Sequence, residues 1–199
     1  MEEKRPGEYF PIEEDDRGSY IMNSRDLCMP DMINAGVTSL KIEGRMKSAY
    51  YVATVVSAYR AALDSYMKDP ENYEFKQEWY DELCKASHRE FTHGFFYQKP
   101  SSRDQNYLTS DYVREYSFIG VVLGVDEANG ETIVQQRNKF CVGDEIEIMS
   151  PGEPFYTEEV PSMKDEDGNA IESAPHPKQE VRIPFRKVPA KYSILRKRK

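Results

Sequence analysis

The stretch from Ser48 to Met67 carries a helical period that limits what the rest of the chain can be. Apolar side chains recur at Val52, Val55, Val56, Tyr59, Leu63, Tyr66 and Met67. That is the i, i+3, i+4, i+7 stripe of a helix that turns one face to a core. Directly ahead of it, Ser39 to Ile42 reads as a short strand closed by Gly44, and the turn between the two is charged at Lys41, Glu43, Arg45 and Lys47. In barrels and open α/β sheets, the turn after a strand's carboxyl end is where sites are built.

Upstream, Met1 to Asp16 is polar and interrupted by Pro6, Gly7 and Pro11, an extended or hairpin arm. Arg17-Gly18 signals a turn, and Ser19–Met22 a short strand. Asn23 or Ser24 can cap a helical turn through Cys28. Pro30–Asn34 reads as a short helix stopped at Gly36, and Val37–Glu43 as the next strand. The order strand, helix, strand, helix argues for parallel βα units. Asp69-Pro70 ends the long helix. Glu74–Ser87 reads as another, with Phe75, Trp79, Leu83 and Cys84 as its apolar positions. Pro100–Thr109 has the composition of a linker, so two domains are expected, residues 1–109 and 110–199.

The second half has a different texture. Val113–Val125, Glu131–Gln136, Asp144–Met149, Glu158–Val160 and Gln179–Pro184 read as short strands, and Lys164–Lys178 as a polar loop. Asn129-Gly130 is the strongest hairpin signal in the chain. Short strands at this spacing imply a small β-barrel or sandwich.

Charge is unevenly spread. Residues 111–177 hold 15 acidic and 4 basic residues, a balance of −11, whereas residues 178–199 hold 9 basic and one acidic, a balance of +8. The basic end, Leu195-Arg-Lys-Arg-Lys199, suits phosphate contact or equally a solvated terminus. No apolar run approaches the roughly 18 residues that cross a bilayer, and no export signal opens the chain, so no membrane contact and a cytoplasmic location are expected. Three separated cysteines, Cys28, Cys84 and Cys141, make a disulfide framework improbable. Cys84 and Cys141 read as core residues. His88 and His93 lack a zinc pattern around them, and neither Gly-x-Ser-x-Gly nor His-Glu-x-x-His occurs.

The runs RPGEYFPIEEDDRGSYIMNSRDLCM and INAGVTSLKIEGRMKSAYYVATVVSAYRAALD, followed by SHREFTHGFFY, resemble the collagenase-like peptidase family of unassigned catalytic type, U32. The likeness is strongest to members linked with hydroxylation of tRNA wobble uridine, and residues 113–199 resemble their C-terminal β-barrel. The fold expected is therefore α/β plus β: the last βα units of a TIM-like barrel with a helical extension, then a small β-barrel. The resemblance places the family's signature cysteines upstream of residue 1, so the chain reads as the C-terminal portion of a longer protein. It also implies about four more residues, roughly one helical turn, between Met29 and Pro30 than this sequence has.

Several residues gain roles from this likeness. Lys41 and Glu43, two apart on a strand, share one face. They form either a structural ion pair or one wall of a catalytic site, since burying both charges costs several kcal/mol per ion unless they pair or hold a ligand. Arg45 and Lys47 begin the long helix, whose free N–H groups favour an anion. Arg45 is the better candidate, because a guanidinium grips carboxylates at two points. The resemblance implies a prephenate-like dicarboxylate, tRNA as a partner, and Cys28 as a ligand of an iron–sulfur cluster in the full-length protein, with no cofactor expected in this chain alone. Three functions stay open: tRNA wobble-uridine hydroxylation, a peptidase of unknown catalytic type, and a non-catalytic RNA- or protein-binding fragment.

Overall fold

The computed structural model describes residues 13–15, 18–20, 27, 29–88, 91 and 114–199. Two compact units emerge, Met1–Val113 and Arg114–Lys199, and each is built around its own core.

In the first unit, strands β1 (Glu13–Asp15) and β2 (Gly18–Tyr20) form an antiparallel hairpin. Three helices follow: α1 (Met29–Asn34), α2 (Ala49–Lys68) and α3 (Gln77–Lys85). Helix α1 stops as expected at Gly36, where Gly36 N–H donates to the Ile33 carbonyl at 2.9 Å and Val37 N–H to that of Met32 at 3.0 Å. Both are the closing bonds of a left-handed helix end. Ser48 caps α2, its Oγ accepting from Tyr51 N–H at 3.3 Å, and Asp69 ends it. Helix α3 is shorter than its sequence suggests, because residues 74–76 lie outside it and Phe75 is exposed.

The core face of α2 departs from expectation. Val55 and Tyr66 are buried, and Tyr59 and Leu63 pack at the margin, but Val52, Val56 and Met67 are 39, 43 and 62% exposed. Their place is taken by Tyr51, Thr54, Ala58 and Ala62. Two alanines on one face let α3 approach closely, so Trp79 and Leu83 can fill the space that larger side chains would occupy. Tyr73 bridges the two helices, edge-on to Tyr66 at 5.3 Å and stacked with Trp79 at 6.0 Å. Tyr50 donates its hydroxyl to the Lys85 carbonyl at 2.8 Å, satisfying a carbonyl in the last turn of α3.

The expected strand at residues 37–43 does not form; the segment is irregular. A strand needs a neighbour for its N–H and C=O groups, and among the described residues none pairs with it. The expected parallel βα order is likewise absent among the described residues of this unit, where the one strand pair is the antiparallel β1–β2 hairpin.

The second unit is antiparallel throughout. Strands β3 (Tyr116–Val125), β4 (Thr132–Gln136), β6 (Glu145–Met149), β7 (Tyr156–Glu159), β9 (Glu180–Ile183) and β10 (Ile194–Arg198) form one sheet in the order β7-β6-β10-β3-β4-β9, and β5 (Phe140–Cys141) pairs separately with β8 (Ser173–Ala174). Ile148, Leu195, Ile119, Val134 and Ile183, drawn from across this sheet, meet in a single core with Phe140 and Met163. The sheet is therefore curled around its own apolar face as a half-barrel, its two end strands left unjoined to each other. The Asn129-Gly130 hairpin forms as read: Gly130 takes a φ of 74°, open to glycine at no steric cost, and its N–H reaches the Asp126 carbonyl at 2.8 Å.

Two sequence readings change here. The segment Lys164–Lys178 is not a plain loop, because it contains β8 and a bridge from Lys164 to Arg182. More consequentially, the basic end is an internal strand. β10 lies between β3 and β6, with Leu195 and Arg196 wholly buried. Arg196 is paired through Nε with Glu147 and lies between the rings of Tyr116 and Phe155, at 5.5 and 5.6 Å.

Candidate functional site

Residues 39–47 form one bank of an open groove of about 720 Å³ in the first unit. Its apolar floor is made by Met32, Tyr51, Val55, Tyr59 and Leu83 from the three helices. These are residues that α2 and α3 already turn inward, so the floor is an extension of the helical core. Gly44 sets how closely the bank approaches α2. A Cβ there would come within 2.8 Å of Val52 Cγ2, which is closer than side chains pack.

Lys41, Glu43, Arg45 and Lys47, the four charged residues singled out from the sequence, all line this groove. Lys41, Glu43 and Arg45 are exposed and Lys47 is half-buried. No ion pair joins Lys41 to Glu43 among the described residues. Glu43 Oε1 instead accepts from the backbone N–H of Arg45 at 2.9 Å, tightening the turn ahead of α2. The ammonium of Lys41 and the guanidinium of Arg45 have no carboxylate partner among the described residues. Lys47 sits over the Tyr51 ring at 5.5 Å. An apolar floor with cations at the rim suits an anion that carries a hydrophobic body.

His88 also lines the groove, and sequence reasoning had considered it only as a metal ligand and set it aside. It is 9% exposed, and its ring stacks on Phe91 at 4.7 Å with 10° between the planes. Nδ1 lies 2.9 Å from the Ala86 carbonyl. A carbonyl can only accept, so Nδ1 carries the hydrogen in this contact. Nothing in the sequence marks this: the residue follows a helix end, where periodicity has lapsed.

Cys28 and His93 lie outside the described residues. Cys84 and Cys141 are half-buried rather than the core residues expected, and neither is in a disulfide. Among the described residues no group of three or more His, Cys, Asp or Glu side chains is placed to hold a metal ion, so they do not by themselves fit an iron–sulfur cluster. No described helix is long and apolar enough to cross a membrane.

The model of peptidase family U32 matches residues 1–106, and that of the family's C-terminal domain matches residues 114–196. The chain belongs to peptidase family U32. Within it, tRNA hydroxylation protein P1 of Bacillus subtilis is 40% identical over 184 residues, covering 90% of this chain and 44% of that protein. tRNA hydroxylation protein P of Escherichia coli is 38% identical over 181 residues, covering 87% of this chain and 38% of that protein. This U32 chain thus spans less than half the length of these relatives. The crystallised C-terminal domain of a putative U32 peptidase from Geobacillus thermoleovorans is 40% identical, with a TM-score of 0.38, covering 41% of this chain and 99% of that one.

Proposed function

We propose that this U32 chain works as part of a tRNA-modifying protein that hydroxylates the wobble uridine. The observation that carries the reading is the identity of 38–40% to two tRNA hydroxylation proteins, maintained over 87–90% of the chain. The groove is consistent with it. Lys41 and Arg45 would receive the carboxylates of a prephenate-like dicarboxylate, while Tyr51, Val55 and Tyr59 would cover its ring. Lys41 and Glu43 would form the catalytic wall, with Glu43 Oε1 committed to the loop and its second oxygen facing substrate. Lys47 would add positive potential. In the longer protein, residues 37–43 would pair as a strand in the closing βα units of a TIM-like barrel, and Cys28 would lend a thiolate to a cluster held mainly by other cysteines. Such a protein would work in the cytoplasm.

The test is nucleoside analysis of tRNA from cells lacking the full-length gene. Loss of 5-hydroxyuridine-type nucleosides, restored by the wild-type gene but not by one carrying Arg45→Ala, is the expected result. An unchanged nucleoside profile in the deletion strain defeats the reading. The family's peptidase description supports a second one; cleavage of gelatin by the full-length protein, lost with Glu43→Gln, would favour it.

A further inference from the structure

We infer that one end of the half-barrel, built by the turns at Arg137–Lys139 and His176–Lys178, is a contact surface for the phosphate backbone of RNA. The inference rests on the tRNA reading above and names where in this chain the nucleic acid is held. Its basis is a contrast in how the second unit handles its cations. Lys164, Arg182, Lys187, Arg196, Lys197 and Arg198 each lie beside a carboxylate: Glu131, Asp126, Glu153, Glu147, Asp144 and Glu115 respectively. Arg137, Lys139 and Lys178 are exposed and have no carboxylate partner among the described residues; the same holds for Arg186, Lys191 and Lys199, but the first three share two adjoining turns.

The backbone brings these three together. Lys178 N–H donates to the Gln136 carbonyl at 3.1 Å, and Gln136 N–H to the Gln179 carbonyl at 2.8 Å, so the two turns lie back to back. The first turn is anchored to β3 through Arg137 N–H on the Ile119 carbonyl at 2.8 Å and Asn138 Nδ2 on the Phe118 carbonyl at 2.6 Å. The second is pinned by Gln179 N–H on the His176 carbonyl, at 3.1 Å. The cations therefore project from a fixed frame, which lowers the ordering cost of binding. Glu180, two residues past Lys178, is half-buried in β9 and is the nearest acidic residue in sequence to this cluster.

Lys178 supplies an independent sign. Its φ of 63° is in the left-handed region, where a non-glycine residue pays a steric cost. A residue held in a strained conformation at an exposed turn points to a function for the side chain, since glycine would serve the backbone better. Three exposed cations spread over two adjoining turns suit a string of phosphates rather than one small anion.

The experiment measures binding of bulk bacterial tRNA to the full chain across a series of KCl concentrations, comparing wild type with Arg137→Ala/Lys139→Ala/Lys178→Gly and with Lys178→Gly alone. Each lost phosphate contact lowers the slope of log K against log salt by about 0.7–0.9. The triple variant is expected to lose about two units of slope and at least about tenfold in affinity near 0.1 M salt. Lys178→Gly alone should melt no lower than wild type while losing just under one unit of slope, which separates binding from folding. Equal affinity and slope for wild type and the triple variant would overturn the surface, as would wild type that binds no tRNA or is displaced equally well by an acidic peptide. An unchanged nucleoside profile in the deletion strain defeats the hydroxylation reading whatever the binding result. Equal binding with altered nucleosides defeats only this surface.

Discussion

Replacing Arg196 by Met tests the energetics of the half-barrel where they are most exposed to failure. Arg196 is wholly buried in the middle strand of the sheet and paired with Glu147, which retains 19% of its side-chain exposure. Removing one partner of a buried pair costs about 3–5 kcal/mol, because the other charge is stranded. Residual solvent at Glu147 places this case near the lower end, about 3 kcal/mol. Methionine can still fill the slot between Tyr116 and Phe155, but the two cation–ring contacts are lost, adding about 1 kcal/mol. For a unit of this size each kcal/mol shifts the midpoint by about 4–8 °C, so a fall of about 15–30 °C is expected. Urea unfolding followed by far-UV circular dichroism gives the free energy, and hydrogen exchange at the β3 and β10 amides assigns it to this sheet. Arg196→Met/Glu147→Leu should return to within about 1 kcal/mol of wild type, since neither charge is then buried alone. A single variant that costs under about 1 kcal/mol, or a double variant no better than the single, would refute the stranded-charge argument.

Two further outcomes follow from local geometry. Gly44→Ala should destabilise the helical unit by about 1–3 kcal/mol through the clash with Val52 Cγ2, and adding Val52→Ala should relieve it. Fluorescence of Trp79, the single tryptophan, reads this directly, and a neutral Gly44→Ala would show that the loop simply moves. Asp165 closes the turn ahead of β8: the Asn169 side-chain amide, aided by backbone N–H groups of residues 167–169, holds its carboxyl below the ordinary range. A lowered folded value means the stabilisation is complete above the unfolded carboxylate pKa of about 4 and lost as pH falls through the folded one. The amide shifts of Asp167 and Asn169 should titrate in that lower window and stop doing so in Asp165→Asn.

How far the chain could be read without coordinates depended on whether a signal was local. The long helix and the Asn129-Gly130 hairpin rest on neighbouring residues, and both form. Which face of α2 turns inward does not: valines and alanines lie on adjacent stripes, and the partner helix decides, preferring the thin alanine face. β10 was hidden because four of the five residues in Leu195–Lys199 are cationic, and composition gives no hint that Glu147 waits opposite Arg196. The strand expected at 37–43 failed for the converse reason, since alternation without a neighbour does not make a ladder. At the groove, the charged turn was legible; of the two readings left open for Lys41 and Glu43, the ion pair does not form, because Glu43 closes on the adjacent Arg45 amide. His88 reaches the groove only through the packing of α3 on α2.

The position of β10 also sets the order in which this unit can come into being. It follows every other strand in sequence yet joins β6 on one side to β3 on the other. Until Ile194–Arg198 have left the ribosome, the β7-β6 hairpin and the β3-β4-β9 layer have no shared edge, and each presents an unpaired strand to the cell. Assembly must therefore wait until Ile194–Arg198 are available, through contacts distant in sequence and correspondingly slow to form. A chain cut before Ile194 would not simply lose an edge of the domain but be left in two halves.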